Sequence, residues 1–393
     1  MLWKTLVNGA LLGTKNQKGE ELSYLARLWV RTSSTKAFDA EQRLLERFLD
    51  KFKSSRVYIE LENYGVQYIH TYSLRKKEEG GEKPIRSAIL FTHGFGGGSG
   101  MFYHVLQELS RKGFEDVFAI DWLGMGRSSR PSSGLMSGRG YPQRSLFSLN
   151  RREKEEVSDE CIDFFVESLE KWREEMKIAK LQLVGHSLGG YLSTRYALAY
   201  PERVERLVLL SPVGVPEPEE NENSMPDFVK RNRLFTSLVG LFWSMNLTPQ
   251  SVARIAGPWG PELVTKIVKA RLKGMSEEEV KIVSDYLYHI NVGRPSGELA
   301  LNALLVPVFK TNFPGVYARR PLAQDLINKF PRDIPLTFLF GDRDWMLHPT
   351  IEDIVASMPN AEVRIISNTG HHVYLDNPPS FKRIMTQDVL TKE

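Results

Sequence analysis

Residues Gly185-His186-Ser187-Leu188-Gly189 stand between a short apolar run, Lys180-Leu181-Gln182-Leu183-Val184, and a helical pattern from Gly190 to Tyr200 that Pro201 stops. Strand, G-x-S-x-G and helix in that succession commit the chain to a sharp turn at the carboxyl edge of a sheet. Glycines allow the bend and the close approach of neighbouring backbone, so the Ser187 hydroxyl projects from the tip. A bare pentapeptide of this form is common by chance; its flanks make this one informative.

Three further segments fit the same chemistry. His93-Gly94-Phe95-Gly96-Gly97-Gly98 follows the apolar run Ala88–Phe91 and reads as a loop whose Phe95 N–H, with that of Leu188, would face a developing oxyanion. Gly341-Asp342-Arg343-Asp344 follows the apolar run Leu336–Phe340, and Gly370-His371 follows Val363–Ile366. A serine hydroxyl is a weak nucleophile at neutral pH, so a histidine must take its proton during attack. His371 is read as that base and Asp344 as the carboxylate that sets its tautomer. Asp342 stands as an alternative acid and His372 as an alternative base. Gly94, Gly96, Gly185 and Gly189 are read as supporting glycines. His93 is expected to hold the oxyanion loop, and His186 to be structural or substrate-lining. Ser, then Asp, then His is the chain order of the α/β-hydrolases.

Apolar runs recur at Val57–Leu61, Val66–Tyr72, Ala88–Phe91, Val117–Ile120, Leu181–Val184, Leu207–Leu210, Leu336–Phe340 and Val363–Ile366, separated largely by helical patterns. That rhythm predicts an α/β fold with a mainly parallel sheet covered on both faces. The chain divides into an N-terminal helical segment (1–52), a first core part (53–215), a helical cap (216–325) and a second core part (326–393). In the cap, Leu234, Phe235, Leu238, Val239, Leu241, Phe242 and Met245 share a helical face, with Trp243 off it. The stripe would either pack on the core or meet a lipid surface. Arg130–Arg152 reads as a long excursion near the site, and Lys76–Lys83 as a solvated turn.

Bulk composition narrows the function classes. A net charge of +4 over 393 residues suits an anionic membrane surface and gives no basis for a nucleic-acid partner. A lone Cys161 excludes an internal disulfide framework and fits a buried small hydrophobe in a helix. No run approaches 18 apolar residues, so no transmembrane helix is expected. No metal-ligand spacing or phosphate loop occurs, so no metal and no cofactor are expected. Residues 1–19 hold Lys4, Lys15 and Lys18 and no acid, a weak likeness to a targeting segment. Leu22, Leu25, Ala26, Trp29 and Val30 follow at helical spacing, as a membrane-surface helix or one packed on the core.

HGFGGG (93–98), DWLGMGRSSRP (121–131), ESLEKWRE (167–174), the stretch from Gly185 to Pro216, ARRPL (318–322), FGDRDWM (340–346) and GHHVYLDNP (370–378) together resemble one branch of the α/β-hydrolases. It holds the fungal cardiolipin-specific deacylase, lysophosphatidic acid acyltransferase-like proteins and the N-acyl phosphatidylethanolamine lysophospholipase. SPVGVP (211–216) is most similar to the fungal deacylase. The resemblance implies a serine phospholipase that converts cardiolipin to monolyso-cardiolipin and fatty acid at a peripheral, anionic membrane surface. It further implies association with the mitochondrial inner membrane, a cytoplasmic peripheral site being the alternative. An acyl-CoA-dependent lysophosphatidic acid acyltransferase and a non-catalytic lipid-binding adaptor are the other readings. The retained Ser187 weighs against the adaptor, since a lipase co-activator of this branch lacks that serine. Asp376 completes the branch's H-x-x-x-x-D pattern with His371 and is read as a turn or helix-cap residue. Arg127, Arg130, Arg319 and Arg320 are candidates for head-group contact, with surface solvation as the alternative. Oligomeric state is not legible.

Overall fold

The computed structural model describes residues 29–30, 32–49, 51–75, 84–131, 149–218, 231–244, 247–309 and 311–390. Calls that fall on 1–28, 76–83 and 132–148 therefore lie outside the described residues, including the targeting likeness and most of the excursion.

Ten strands occur among the described residues: β1 (Lys53–Leu61), β2 (Gly65–Leu74), β3 (Ile85–Thr92), β4 (Val117–Ile120), β5 (Ile178–His186), β6 (Val204–Leu210), β7 (Leu305–Val308), β8 (Gly315–Ala318), β9 (Leu336–Gly341) and β10 (Ala361–Ile366). Eight form one sheet in the order β1-β2-β4-β3-β5-β6-β9-β10. From β4 to β10 every pairing is parallel, while β2 runs antiparallel to both neighbours.

Strand periodicity builds two cores. Ala88 and Leu90 of β3, Leu181 and Leu183 of β5, Leu207 and Leu209 of β6, and Phe338 and Phe340 of β9 face one side. Ile89, Phe91, Val184, Val208, Leu210 and Leu339 face the other. Successive side chains of a strand point to opposite faces, so a doubly covered sheet reads as continuous apolar runs. Helices α3 (Arg151–Glu175) and α4 (Leu188–Ala199) cover the first face, where Cys161 is fully buried. Helices α1 (Ser34–Phe48) and α2 (Tyr103–Arg111) and the C-terminal helical turns cover the second. Asn150 starts α3 with a reciprocal capping box to Glu153, which satisfies donors the first helical turn leaves unpaired.

Between β6 and β9 lie α5 (Arg233–Ser244), α6 (Pro249–Ile255), α7 (Gly260–Arg271), α8 (Glu277–Asn291) and the antiparallel β7–β8 pair. This stretch was expected to be wholly helical; two four-residue strands, one containing Pro307, give too short a pattern to read. The residue-325 boundary falls inside α9 (Ala323–Lys329). On α5 the side chains of Leu234, Phe235 and Phe242, and Met245 after it, lie outside the described residues. Leu238 and Leu241 are exposed, whereas Trp243 packs on the core and donates its indole N–H to the Leu305 carbonyl at 3.0 Å. Trp29 and Val30 pack among Ala253, Tyr288 and Val292 of the inserted helices, which favours core packing for those two residues. No described helix is long and apolar enough to cross a membrane.

Candidate active site

Ligands of open α/β sheets bind outside the carboxyl ends of the strands. Here the loops after β3, β5, β9 and β10 carry His93–Gly98, Ser187, Asp344 and His371.

Ser187 has φ 53° and ψ −116°, a conformation that costs a non-glycine residue on the order of 1–3 kcal/mol. Its neighbours hold it there. The Ser187 N–H donates to the Leu210 carbonyl at 2.9 Å, and its own carbonyl accepts from Tyr191 N–H at 3.1 Å. A Cβ on Gly189 would lie 2.5 Å from the Thr92 carbonyl oxygen, so only glycine lets the helix start against β3.

Across the sheet edge the Ser187 hydroxyl donates to His371 Nε2 at 3.0 Å, and His371 Nδ1–H donates to Asp344 Oδ1 at 3.2 Å. Asp344 also accepts from Met346 N–H at 3.0 Å. Burial works against its charge, but His371, with help from the Ser211 hydroxyl and Met346 N–H, holds its carboxyl below the usual carboxylate range. This assembly can shuttle a proton from the serine while keeping the imidazole in one tautomer. Asp342 instead accepts from Asn368 N–H and Thr369 N–H, which shapes the turn before His371.

Three more histidines are buried or close-packed here, and burial favours the neutral form of each. Trp122 N–H donates to His93 Nε2 at 3.2 Å, leaving Nδ1–H to donate to the Gly94 carbonyl at 2.8 Å. His186 donates from Nε2 to the His371 carbonyl at 3.0 Å, so that proton is committed to holding the His371 backbone. His372 stacks against His186, ring centroids 5.0 Å apart. Burial depresses the proton affinity of all three, most simply for His93. The rings of His371 and His372 push His186 further down; the His371 ring and Arg271 bring His372 to about 3.

Acidification is therefore expected to destabilise the fold. Below about 6.5 the unfolded chain protonates these histidines while the folded chain does not, so stability falls as pH falls. The slope per histidine cannot exceed about 1.4 kcal/mol per pH unit, the limit for one proton bound by the unfolded chain alone; for His372 the loss continues down to about 3. Thermal melts at pH 7, 6 and 5 should show a falling Tm, with a shallower fall in His372→Gln. A Tm that stays level across that range contradicts the neutral assignments.

The His93–Gly98 loop lies directly on the Ser187 turn: a Cβ on Gly94 would sit 2.9 Å from Ser187 Cβ. The Gly94 carbonyl accepts from both His93 Nδ1–H and Gly97 N–H. A trans peptide points its N–H opposite to its C=O, so fixing that carbonyl also fixes the direction of Phe95 N–H. Leu188 N–H is the first amide of α4 and has no intrahelical acceptor. Neither amide donates to a described residue.

Sequence reasoning missed Asn291 on α8. Its side-chain N–H groups donate to the Gly96 and Leu287 carbonyls at 2.9 Å, and its Oδ1 accepts from Gln250 Nε2 at 3.1 Å. The inserted helices thus grip the His93–Gly98 loop, and a lone Asn near a helix end carries no local sign of that. Trp345, 5.3 Å from the His371 ring, was also missed.

The four candidate head-group arginines are all engaged. Arg127 pairs with Glu41, and Arg130 donates to the Gly124, Gly126, Ile290 and Arg294 carbonyls. Arg319 donates to the Asn302 carbonyl, and Arg320 pairs with Asp159 and Glu155. Each ties chain segments together. Asp376 accepts from Gly370 N–H at 2.8 Å, while Asn377 caps the next helical turn. The turn role belongs to one and the cap to the other. No group of side chains able to hold a metal ion occurs among the described residues.

A sequence model of the alpha/beta hydrolase fold matches residues 87–378. The chain belongs to the α/β-hydrolase family. It is 33% identical to a Mus musculus (lyso)-N-acylphosphatidylethanolamine lipase, covering 91% of this chain and 92% of the relative. It is 31% identical to a 1-acylglycerol-3-phosphate O-acyltransferase of Arabidopsis thaliana, covering 90% of this chain and 80% of that protein. Among solved structures, a bacterial membrane phospholipase A shares the fold at 20% identity with a TM-score of 0.56, covering 89% of this chain and 90% of that one.

Proposed function

We propose that this protein is a serine acyl-hydrolase of glycerophospholipids, with Ser187 as nucleophile, His371 as base and Asp344 as its orienting acid. The observation that carries this reading is the continuous hydrogen-bond chain from Ser187 Oγ through the His371 ring to Asp344 Oδ1. Ser187 Oγ attacks the ester carbonyl carbon while His371 Nε2 takes its proton. The oxyanion forms against Phe95 N–H and Leu188 N–H. Collapse breaks the bond to the glycerol oxygen, which leaves as the lysolipid alcohol with the proton from His371. Water, deprotonated by the same imidazole, then releases the fatty acid and restores Ser187.

A phospholipid substrate is supported by the names of the curated relatives, which act on N-acylphosphatidylethanolamine or acylglycerol phosphate. Cardiolipin as the substrate and the mitochondrial inner membrane as the address rest on the sequence resemblance alone. The plant relative's name favours one second reading, acyl transfer from acyl-CoA to lysophosphatidic acid.

Lipid mass spectrometry on purified protein with mixed phospholipid vesicles tests the proposal. The expected products without an acyl donor are free fatty acid and lysophospholipid, with monolyso-cardiolipin foremost. Phosphatidic acid as the dominant, Ser187-dependent product from acyl-CoA and lysophosphatidic acid would overturn it.

The grip of α8 on the oxyanion loop has a kinetic signature. Asn291→Ala frees the Gly96 carbonyl, loosening the loop that aims Phe95 N–H. A kcat about tenfold lower on a short soluble ester, with KM little changed, is expected for lost transition-state stabilisation. Steady-state kinetics check this; an unchanged kcat means the contact serves only to dock the inserted helices.

A further inference from the structure

We infer that the mouth of the site is a docking face for an anionic phospholipid leaflet, formed by Phe313, Trp345 and Leu347 with Arg271, Lys273 and Arg343; this rests on the phospholipase reading above.

Two separate segments bring apolar side chains to one place. Phe313 lies in the β7–β8 turn and Trp345 and Leu347 in the loop after β9. The segments touch: the Phe313 ring meets His348 at 4.6 Å, and a Cβ on Gly315 would come 4.0 Å from the Trp345 ring. Phe313 is 48% exposed, Trp345 56% and Leu347 39%. Large apolar side chains from two touching loops, one of them against the His371 ring, left in water mark an interaction surface. A membrane fits them in particular, because tryptophan and phenylalanine insert at the level of head groups.

Cations border the same His371-bearing segment. The turn after α7 packs on it, since a Cβ on Gly274 would lie 3.0 Å from the Leu375 carbonyl oxygen. Arg271 and Lys273, just before that turn, are exposed and make no ion pair with a described residue. Arg343 is exposed beside Trp345, its one described carboxylate contact being Asp342 at 3.7 Å. Arginine and lysine around an aromatic rim complement the negative surface of an anionic leaflet, each contributing most at low ionic strength. In this arrangement Trp345, 5.3 Å from the His371 ring, brings the bilayer surface to the reacting serine, so a lipid enters without crossing water.

Binding is measured separately from turnover by using Ser187→Ala protein in flotation with phosphatidylcholine vesicles holding three parts in ten phosphatidylglycerol. Phe313→Ser/Leu347→Ser is expected to weaken partitioning about tenfold or more. Arg271→Gln/Lys273→Gln should weaken it on these vesicles and leave the small binding to pure phosphatidylcholine unchanged. Vesicles carrying nitroxide-labelled lipid should quench a tryptophan signal that Trp345→Phe removes. In otherwise wild-type protein, Phe313→Ser/Leu347→Ser should lose vesicle hydrolysis and retain hydrolysis of a short soluble ester. Unchanged partitioning in that variant, or no quenching attributable to Trp345, overturns the docking face. So does a wild-type dimer that the variant makes monomeric while vesicle binding stays the same. If wild-type protein binds vesicles as described but hydrolyses neither substrate, the catalytic reading fails while the docking face stands.

Discussion

Ser187→Ala is expected to abolish ester hydrolysis, lowering kcat on the order of a thousandfold or more, while the protein folds normally. Loss of a triad nucleophile removes the covalent route outright, leaving only what binding and the oxyanion donors supply. The hydroxyl sits at a sheet edge, with His371 as its hydrogen-bond partner among the described residues, so its removal opens no core cavity. The backbone around it is held by Leu210 and Tyr191 through main-chain bonds that alanine keeps. Initial rates on a soluble ester, with labelling by a serine-reactive fluorophosphonate, read the effect. Labelling that persists in Ser187→Ala would assign the nucleophile elsewhere.

Asp344→Asn should cost nearly as much, on the order of 10³–10⁴-fold in kcat. The carboxylate accepts the His371 Nδ1 proton and so leaves Nε2 free to receive the serine proton. An amide can present its NH₂ to Nδ1 instead, which puts the ring proton on Nε2 and points it at Ser187. Asp342→Asn is the control. Its oxygens accept the Asn368 and Thr369 amides, a task an amide oxygen can share, so activity should stay within a few-fold of wild type. The reverse ranking of the two variants in steady-state kinetics would move the acid to Asp342.

Much of this site was legible because its signals are local. Turn chemistry at Gly185–Gly189, glycines after β3 and apolar runs ending at the sheet edge each occupy a few consecutive residues. Local signals also left choices open. Asp342 and Asp344 both follow β9, and only the position of His371 in space separates them. Contacts between distant segments were not legible at all. Asn291 reaches Gly96 across 195 positions, and Arg130 reaches the Ile290 carbonyl across 160; neither has a neighbour in sequence that announces it. Helix α5 left its two alternatives open for another reason. Its apolar pattern says which residues avoid water on average, but Trp243 was taken by the Leu305 carbonyl while Leu238 and Leu241 stayed outside. Short strands with a proline, such as β7, fall below the length at which alternation can be recognised.

The covalent intermediate is the most direct test of the account. Protein mixed with a phospholipid carrying one isotopically labelled acyl chain, quenched in acid within the first turnover and digested, should yield the peptide containing Ser187 heavier by that acyl group. The same peptide from His371→Ala should carry little or none, since nothing then takes the serine proton. Acyl mass on another residue, or steady release of fatty acid with the Ser187 peptide unmodified throughout, would contradict it.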